Sequence, residues 1–249
     1  MKNEFISTIE EDFNRFKFSN EEYKIRLNNL AKILDLKDGF IFAQPPTYFV
    51  GDIESPNKII FMGINPGGKK ENLKFESQFR NKSWNSYLDF HKYFFKHYKE
   101  GPKIPYYAYL RTCFSPDSDV TQNYFDYCQE NFINIDLIPY HSKSFNVKLS
   151  DEVEHRYWAN FETITNFLHH NVDLVRYIVI HYGQLVELLS KKNFFNKKAD
   201  VLPCKLNNKR KVYLKEISGF KFLLFNRFIR RGFSRDDVQE ALKYVNKVV

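Results

Sequence analysis

The chain has 249 residues and a mass of 29.9 kDa, enough to bury one substantial core. Apolar residues make up 43% of it, which excludes general disorder, and a formal charge of +8 with an isoelectric point near 9.1 favours a polyanionic partner. Its three cysteines, Cys113, Cys128 and Cys204, are too few and too scattered for a disulfide framework or a Cys-x-x-Cys metal knuckle, which points to a reducing compartment.

Two helix-start signatures, Thr8-x-x-Glu11 and Ser19-x-x-Glu22, each precede apolar residues at helical spacing and predict two short helices within residues 7–35. Gly39-Phe-Ile-Phe-Ala is an apolar segment that Pro45-Pro46 end, and a turn follows from Gly51 to Pro56. Ile59-Ile-Phe-Met62 is apolar without interruption, as in a strand buried on both faces of a parallel sheet. It stops at Gly63-Ile64-Asn65-Pro66-Gly67-Gly68, where glycine opens backbone angles closed to other residues and Pro66 fixes its own φ. A carboxamide, Asn65, thus stands just past the carboxyl end of a buried strand, the edge at which open α/β sheets bind ligands.

Residues 83–99 read as a helix with an aromatic face, broken by Gly101-Pro102 and Pro105, and 102–120 reads as irregular. A helix near 121–130 leads into the buried run Phe132-Ile-Asn-Ile-Asp-Leu-Ile138, closed by Pro139-Tyr140-His141. Ser150-Asp-Glu opens a long helix to about His169, with acidic residues at the positive end of its dipole. Val175–Ile180 is a third strand, stopped by His181-Tyr182-Gly183, and a helix runs from Gln184. Residues 192–213 are polar and basic, Phe220–Phe225 is a fourth strand, and Ser234-x-x-Asp237 opens the terminal helix. This alternation predicts a three-layer α/β/α sandwich around a short, mainly parallel four-stranded sheet. Asn65, Pro139-Tyr140-His141, His181-Tyr182 and Asn226-Arg227 then fall at strand ends along one edge.

Gly63-Ile-Asn-Pro-Gly67 after a hydrophobic strand resembles the first motif of the uracil-DNA glycosylase superfamily, most closely its mismatch-specific uracil and thymine glycosylase branch. Asn81-x-x-Trp84 is similar to the segment that follows this motif in that branch. Asn134-Ile-Asp-Leu-Ile-Pro139 is similar to a strand that carries a base-reading Asn in related branches. The order of elements fits that fold over roughly residues 57–249. The resemblance therefore implies a single domain over 1–249, with 1–50 as a helical extension packed on it. The superfamily's second motif, a His-Pro-Ser or Asn-Pro-Ser turn after the last strand, would fall at Asn226-Arg227-Phe228, where only Asn226 fits. The cysteines that hold an iron–sulfur cluster in some branches are absent, and no metal or organic cofactor is expected.

What the resemblance implies is hydrolysis of a base–sugar bond in DNA, with the base flipped out and a transition state of oxocarbenium character. Asn65 would orient the water, since a carboxamide positions but does not take a proton; alternatively it ties its loop to itself as an Asx turn. Gly63, Ile64, Pro66 and Gly67 would frame the base, and main-chain N–H groups from Gly67 onward would meet an anion. Phe75 or Phe79 would sandwich the base, or pack in the core. Asn134 would read a pyrimidine edge or bond neighbouring backbone, and Asp136, two residues on, shares its face. His141 and His181 stand at strand ends, where they would bond the leaving base or be structural, and Asn226 would add a base contact. Lys69, Lys70, Arg227, Arg230 and Arg231 are the expected phosphate contacts.

The expected partner is DNA, with no membrane, and the expected state is a monomer. No stretch approaches the length of a membrane span, and acidic residues rather than an apolar core follow the N-terminus, so the expected location is the cytoplasm. Two other readings stay open. Gly63-x-x-x-x-Gly68-Lys69 meets the phosphate-loop pattern except at Lys70, where Ser or Thr is needed to hold magnesium. A non-catalytic DNA-binding module on the same fold would bind DNA with steep salt dependence and release no base.

Overall fold

The computed structural model describes residues 4–67, 78–97, 104–115, 123–143, 147–204, 206 and 210–247. In chain order the elements open with α1 (Glu4–Phe18), α2 (Asn20–Ile33), β1 (Phe49–Val50) and β2 (Lys58–Gly63). They continue with α3 (Trp84–Lys92), α4 (Phe94–His97), α5 (Pro105–Phe114), α6 (Tyr124–Asn131) and β3 (Phe132–Asp136). The rest are α7 (Asp151–His169), β4 (Val175–Ile180), α8 (Gly183–Lys191), β5 (Val212–Ile217), β6 (Phe220–Phe225), α9 (Ile229–Gly232) and α10 (Arg235–Lys247). Among the described residues no helix is long and apolar enough to cross a membrane.

The six strands form one sheet in the order β1-β3-β2-β4-β6-β5. β2 runs parallel to β4, with Met62 opposite Ile180, and β4 runs parallel to β6. β5 returns antiparallel to β6 through Ser218 (φ 50) and Gly219 (φ 85). Two positive φ angles in a row are the type I′ form, whose twist suits a two-residue hairpin. The mainly parallel α/β class agrees with the sequence, but the sheet has six strands rather than four. β5 escapes a search for apolar runs because, as an edge strand, it leaves Leu214–Ile217 only partly buried and carries Lys215 and Glu216 there.

The strand that follows β2 in the parallel series, β3, lies on one side of it, and the next, β4, lies on the other. Such a reversal is a topological switch point, the place at which open α/β sheets bind their ligands.

Contacts divide the chain into two compact units, one of Met1–Val50, Gly63–Lys92 and Ile135–Asn171, the other of Gly51–Met62, Tyr93–Asn134 and Val172–Val249. In the first, α1 buries Phe5, Ile9, Phe13 and Phe16 along one stripe and packs on α2, which turns in Tyr23, Leu27, Leu30 and Ala31. The two expected start signals do not cap. Because Phe5 belongs to the core, α1 begins at Glu4, and the Thr8 hydroxyl instead bonds back to the Glu4 carbonyl. Ser19 precedes α2 without a side-chain cap bond. Ser150 does cap α7, accepting from the Val153 N–H at 3.4 Å.

In the second unit every residue of β2 is buried, even Lys58, whose ammonium donates to the Gln129 and Glu130 carbonyls at the end of α6. Pro105 is a correction to the sequence reading: it opens α5 instead of breaking the chain, since its fixed φ suits the first helical turn and its missing N–H has no partner there anyway. Gly51 (φ +106) is required, because a Cβ there would stand 2.3 Å from the Phe132 carbonyl oxygen. The terminal box forms as expected: Asp237 accepts from the Ser234 N–H at 2.7 Å, and the Asp237 N–H donates to Ser234 Oγ at 3.2 Å.

Candidate active site

In the first unit the chain after β2 is zipped onto the chain after β3. The Leu137 N–H donates to the Gly63 carbonyl at 3.1 Å, and the Ile138 N–H to the Ile64 carbonyl at 2.7 Å. Asn65, half-buried, continues the zip with its side chain: Nδ2 donates to the Tyr140 carbonyl, and Oδ1 accepts from the Ser142 hydroxyl at 3.1 Å. A carbonyl accepts only, so Tyr140 decides which way the amide faces. Gly67 then bridges Ser142 in parallel fashion. The loop's shape comes from this ladder rather than from glycine angles. The described glycines with positive φ are Gly39, Gly51 and Gly219, and a Cβ on Gly67 would meet nothing within 4 Å.

His141 holds the loop from inside. It is buried, its Nδ1 donates to the Gly67 carbonyl at 2.9 Å, and its Nε2 lies 2.9 Å from Thr47 Oγ1. Thr47 Oγ1 also lies 3.3 Å from Nε2 of His91, whose Nδ1 donates to the Tyr87 carbonyl. Burial pushes both imidazoles down to a pKa of about 4, so both are neutral at pH 7. With both ring nitrogens engaged, His141 pins the loop to Thr47.

Residues 1–50 contribute more than a packed extension. Asp12 of α1 is fully buried and accepts from Tyr48 Oη and Tyr140 Oη at 2.5 Å each, with Arg15 and Arg26 on its other oxygen. Burial, then the Asp12 charge, holds the Tyr140 phenol far above its usual range. Tyr140 is thereby fixed at its hydroxyl by α1, while its carbonyl holds Asn65.

In the second unit a separate polar and aromatic cluster forms at the carboxyl ends of β4 and β6. His181, which directly follows β4, is 1% exposed, and its Nε2 lies 2.7 Å from the hydroxyl of Tyr106 on α5. The same hydroxyl makes a long 3.4 Å contact with Oδ1 of Asn134, which is buried in β3. The half-exposed rings of Tyr106 and Phe228 lie parallel, 6.0 Å apart at 9°, and Phe228 also covers His181 at 5.0 Å. Nδ1 of His181 has no hydrogen-bond partner among the described residues, and burial lowers its pKa to about 4. Tyr106 and Phe228 escape a motif search because nothing local marks them; α5 and the turn after β6 bring them together.

The other expected site residues fall as follows. Phe79 is buried among the rings of Tyr87, Phe90 and His91 in the first unit, as core packing. Asp136 is buried at the end of β3, its N–H donating to the Tyr48 carbonyl. Pro66 is half-exposed and Gly67 exposed. Asn226 Oδ1 accepts from the Lys211 N–H at 3.0 Å, which ties the end of β6 to the entry of β5. Arg227, Arg230 and Arg231 are all exposed, on and just before α9. The Arg227 side chain lies over Gly232, where a Cβ would approach within 2.7 Å of it. Lys69, Lys70 and Phe75 lie outside the described residues. No group of three His, Cys, Asp or Glu stands close enough to hold a metal ion among the described residues. Compared with known proteins, the chain matches no family model and no curated sequence.

Proposed function

We propose that the protein is a DNA glycosylase of the uracil-DNA glycosylase type, with the three-layer α/β/α architecture of that group. It would hydrolyse the N-glycosidic bond of a flipped-out uracil, mismatched or modified base and leave an abasic site. The observation that carries this reading is the pair of half-exposed parallel rings, Tyr106 and Phe228, over buried Asn134 and His181. Aromatic faces with a few fixed polar groups beneath them are what a flipped base needs: stacking for its π-face and hydrogen bonds for its edge. Three exposed arginines, Arg227, Arg230 and Arg231, lie within three residues of Phe228, where a strand's phosphates would be neutralised.

Each side chain has a defined task in this reading. Asn65 keeps one Oδ1 lone pair beyond the Ser142 bond, which can accept from a water and hold it for attack on the anomeric carbon. Asn65 cannot remove the proton, so the enzyme would be slow compared with one that uses a carboxylate. Within the second unit, the Asn134 amide, whose Oδ1 faces the Tyr106 hydroxyl, can donate through Nδ2 to the edge of a base stacked on these rings. His181, neutral at pH 7, sets the Tyr106 hydroxyl through Nε2.

The test is incubation with single- and double-stranded DNA carrying uracil, mispaired thymine and a panel of modified bases, then alkali to cut at abasic sites. Strand breaks at the altered base support the reading, and their absence across the panel overturns it. One observation favours a second reading, a DNA-binding module without chemistry: both ends of the Asn65 amide already bond the protein. Asn65→Ala distinguishes the two, since under the catalytic reading it abolishes base release and retains DNA binding.

A further inference from the structure

We propose that Ser142 is a positioning residue for Asn65, and that its buried hydroxyl decides where the water-holding lone pair of the Asn65 amide points. The inference rests on the glycosylase reading for its catalytic consequence, but the positioning itself is a property of the first unit alone.

The geometry is specific. A terminal carboxamide turns in a broad torsional well, so one anchor does not fix its plane. The Tyr140 carbonyl takes Nδ2 and settles which end is which. The Ser142 hydroxyl, 3.1 Å away, takes one lone pair of Oδ1 and so fixes the plane as well. What is left is one lone pair on Oδ1, at a set angle. Ser142 is itself held rigidly: it is 1% exposed, and its main chain bridges Gly67. His141, its neighbour, pins the Gly67 carbonyl from the other side at 2.9 Å. Two consecutive side chains of the Tyr140-His141-Ser142 segment therefore act on the Asn65–Gly67 loop, one through the backbone and one through the amide.

A buried serine whose hydroxyl only satisfied itself would be replaceable by alanine with a change in stability and nothing more. Ser142 instead bonds the amide that the hydrolytic role requires, and positioning enters a rate steeply: a misplacement of about 1 Å can lower it about a hundredfold. Losing the hydroxyl leaves the Asn65 amide free to rock about its Tyr140 bond, so its oxygen spends less time aimed at the water. Since Ser142 has almost no exposed surface, it makes no contact with DNA, and the loss falls on kcat rather than on KM.

The experiment compares wild type, Ser142→Ala and Ser142→Thr by two readouts. The first is the Asn65 side-chain amide in 15N–1H spectra, assigned by its loss in Asn65→Ala. The second is base release from DNA containing uracil or a G·T mismatch. The expected result is a rigid, slowly exchanging Asn65 amide in wild type, faster exchange and a lower order parameter in Ser142→Ala, and recovery in Ser142→Thr. On active DNA, Ser142→Ala is expected to lower kcat by roughly tenfold to a hundredfold with KM within about twofold, and Ser142→Thr to restore most of it. An Asn65 amide equally rigid in Ser142→Ala overturns the proposal whatever the activity, as does an unchanged kcat in a folded variant. If wild type releases no base while the amide loosens as described, the positioning stands and the glycosylase reading fails.

Discussion

The Tyr140 hydroxyl donates to the buried Asp12 carboxylate at 2.5 Å, across 128 residues of chain. Tyr48 donates to the same oxygen, and Arg26 and Arg15 reach the other. A buried carboxylate with this many donors is stable only as a set, and removing the charge strands the arginines and phenols around it. Asp12→Ala is expected to lower the unfolding free energy by about 3–5 kcal/mol, and Tyr140→Phe by roughly 1.5–3 kcal/mol, in urea melts at pH 7. A midpoint for Asp12→Ala within about 1 kcal/mol of wild type would show that the N-terminal helices do not anchor this segment.

Three buried histidines make a second prediction. His91, His141 and His181 each have a folded pKa of about 4, below the unfolded value near 6.5, because burial disfavours the charged ring. Between those limits the unfolded chain binds more protons than the folded one, so stability falls as pH drops. It is fully present above about pH 6.5 and lost progressively toward pH 4, by on the order of 3 kcal/mol for each histidine. His91 and His141 should not titrate alike. Both Nδ1–H groups donate to carbonyls, so both Nε2 atoms face Thr47 as acceptors, and Thr47 has one proton to share. The closer contact, 2.9 Å to His141, receives it, and the added proton should go first to His91. Melting temperatures from pH 7.5 to 4.5, with ring NMR shifts, test both statements; a flat profile contradicts the first.

How much of this was readable in advance differs by element. Ile59–Met62 shows its strand directly, as an uninterrupted run covered on both faces, and Phe132–Ile138, Val175–Ile180 and Phe220–Phe225 remain legible because apolar residues outnumber the one or two polar ones in each. β5 is hidden by Lys215 and Glu216 in its half-buried second half, although Ser218-Gly219 between it and Phe220 is a usable hairpin signal. Pro105 misled because proline marks the start of a helix as well as its end. Asn65 stands out through its loop, but the side-chain pairings within each unit do not. Thr47 precedes His141 by 94 residues, and Tyr106 precedes His181 by 75. Such pairings are made by the fold, and no spacing in the chain announces them.

The arginines after β6 carry a third prediction. Arg227, Arg230 and Arg231 are exposed, on and just before α9. If they meet phosphates, each Arg→Ala change should weaken binding to duplex DNA about equally for all sequences. Each should also reduce the slope of log affinity against log salt by about 0.9. Fluorescence titrations at several potassium chloride concentrations measure that slope. Loss of affinity without change of slope would place the arginines off the phosphate path.

The rings supply the last prediction, because stacking and hydrogen bonding at Tyr106 can be separated. Phe228 offers only a face, parallel to Tyr106 at 6.0 Å, so Phe228→Ala should cost binding of single-stranded DNA about 1–3 kcal/mol, or roughly fivefold to 150-fold in Kd. Tyr106→Ala should cost a similar amount. Tyr106→Phe keeps the ring but removes the hydroxyl that joins His181 and Asn134, leaving His181 Nε2 without that bond. Binding should then stay within about threefold of wild type, since the face remains. Discrimination between bases should fall, because the hydroxyl that joins His181 and Asn134 beside the base is gone. Competition between oligonucleotides that differ at one base reads this split. Equal losses of affinity and selectivity in Tyr106→Phe would mean that the hydroxyl supports the fold of the cluster and takes no part in reading the base.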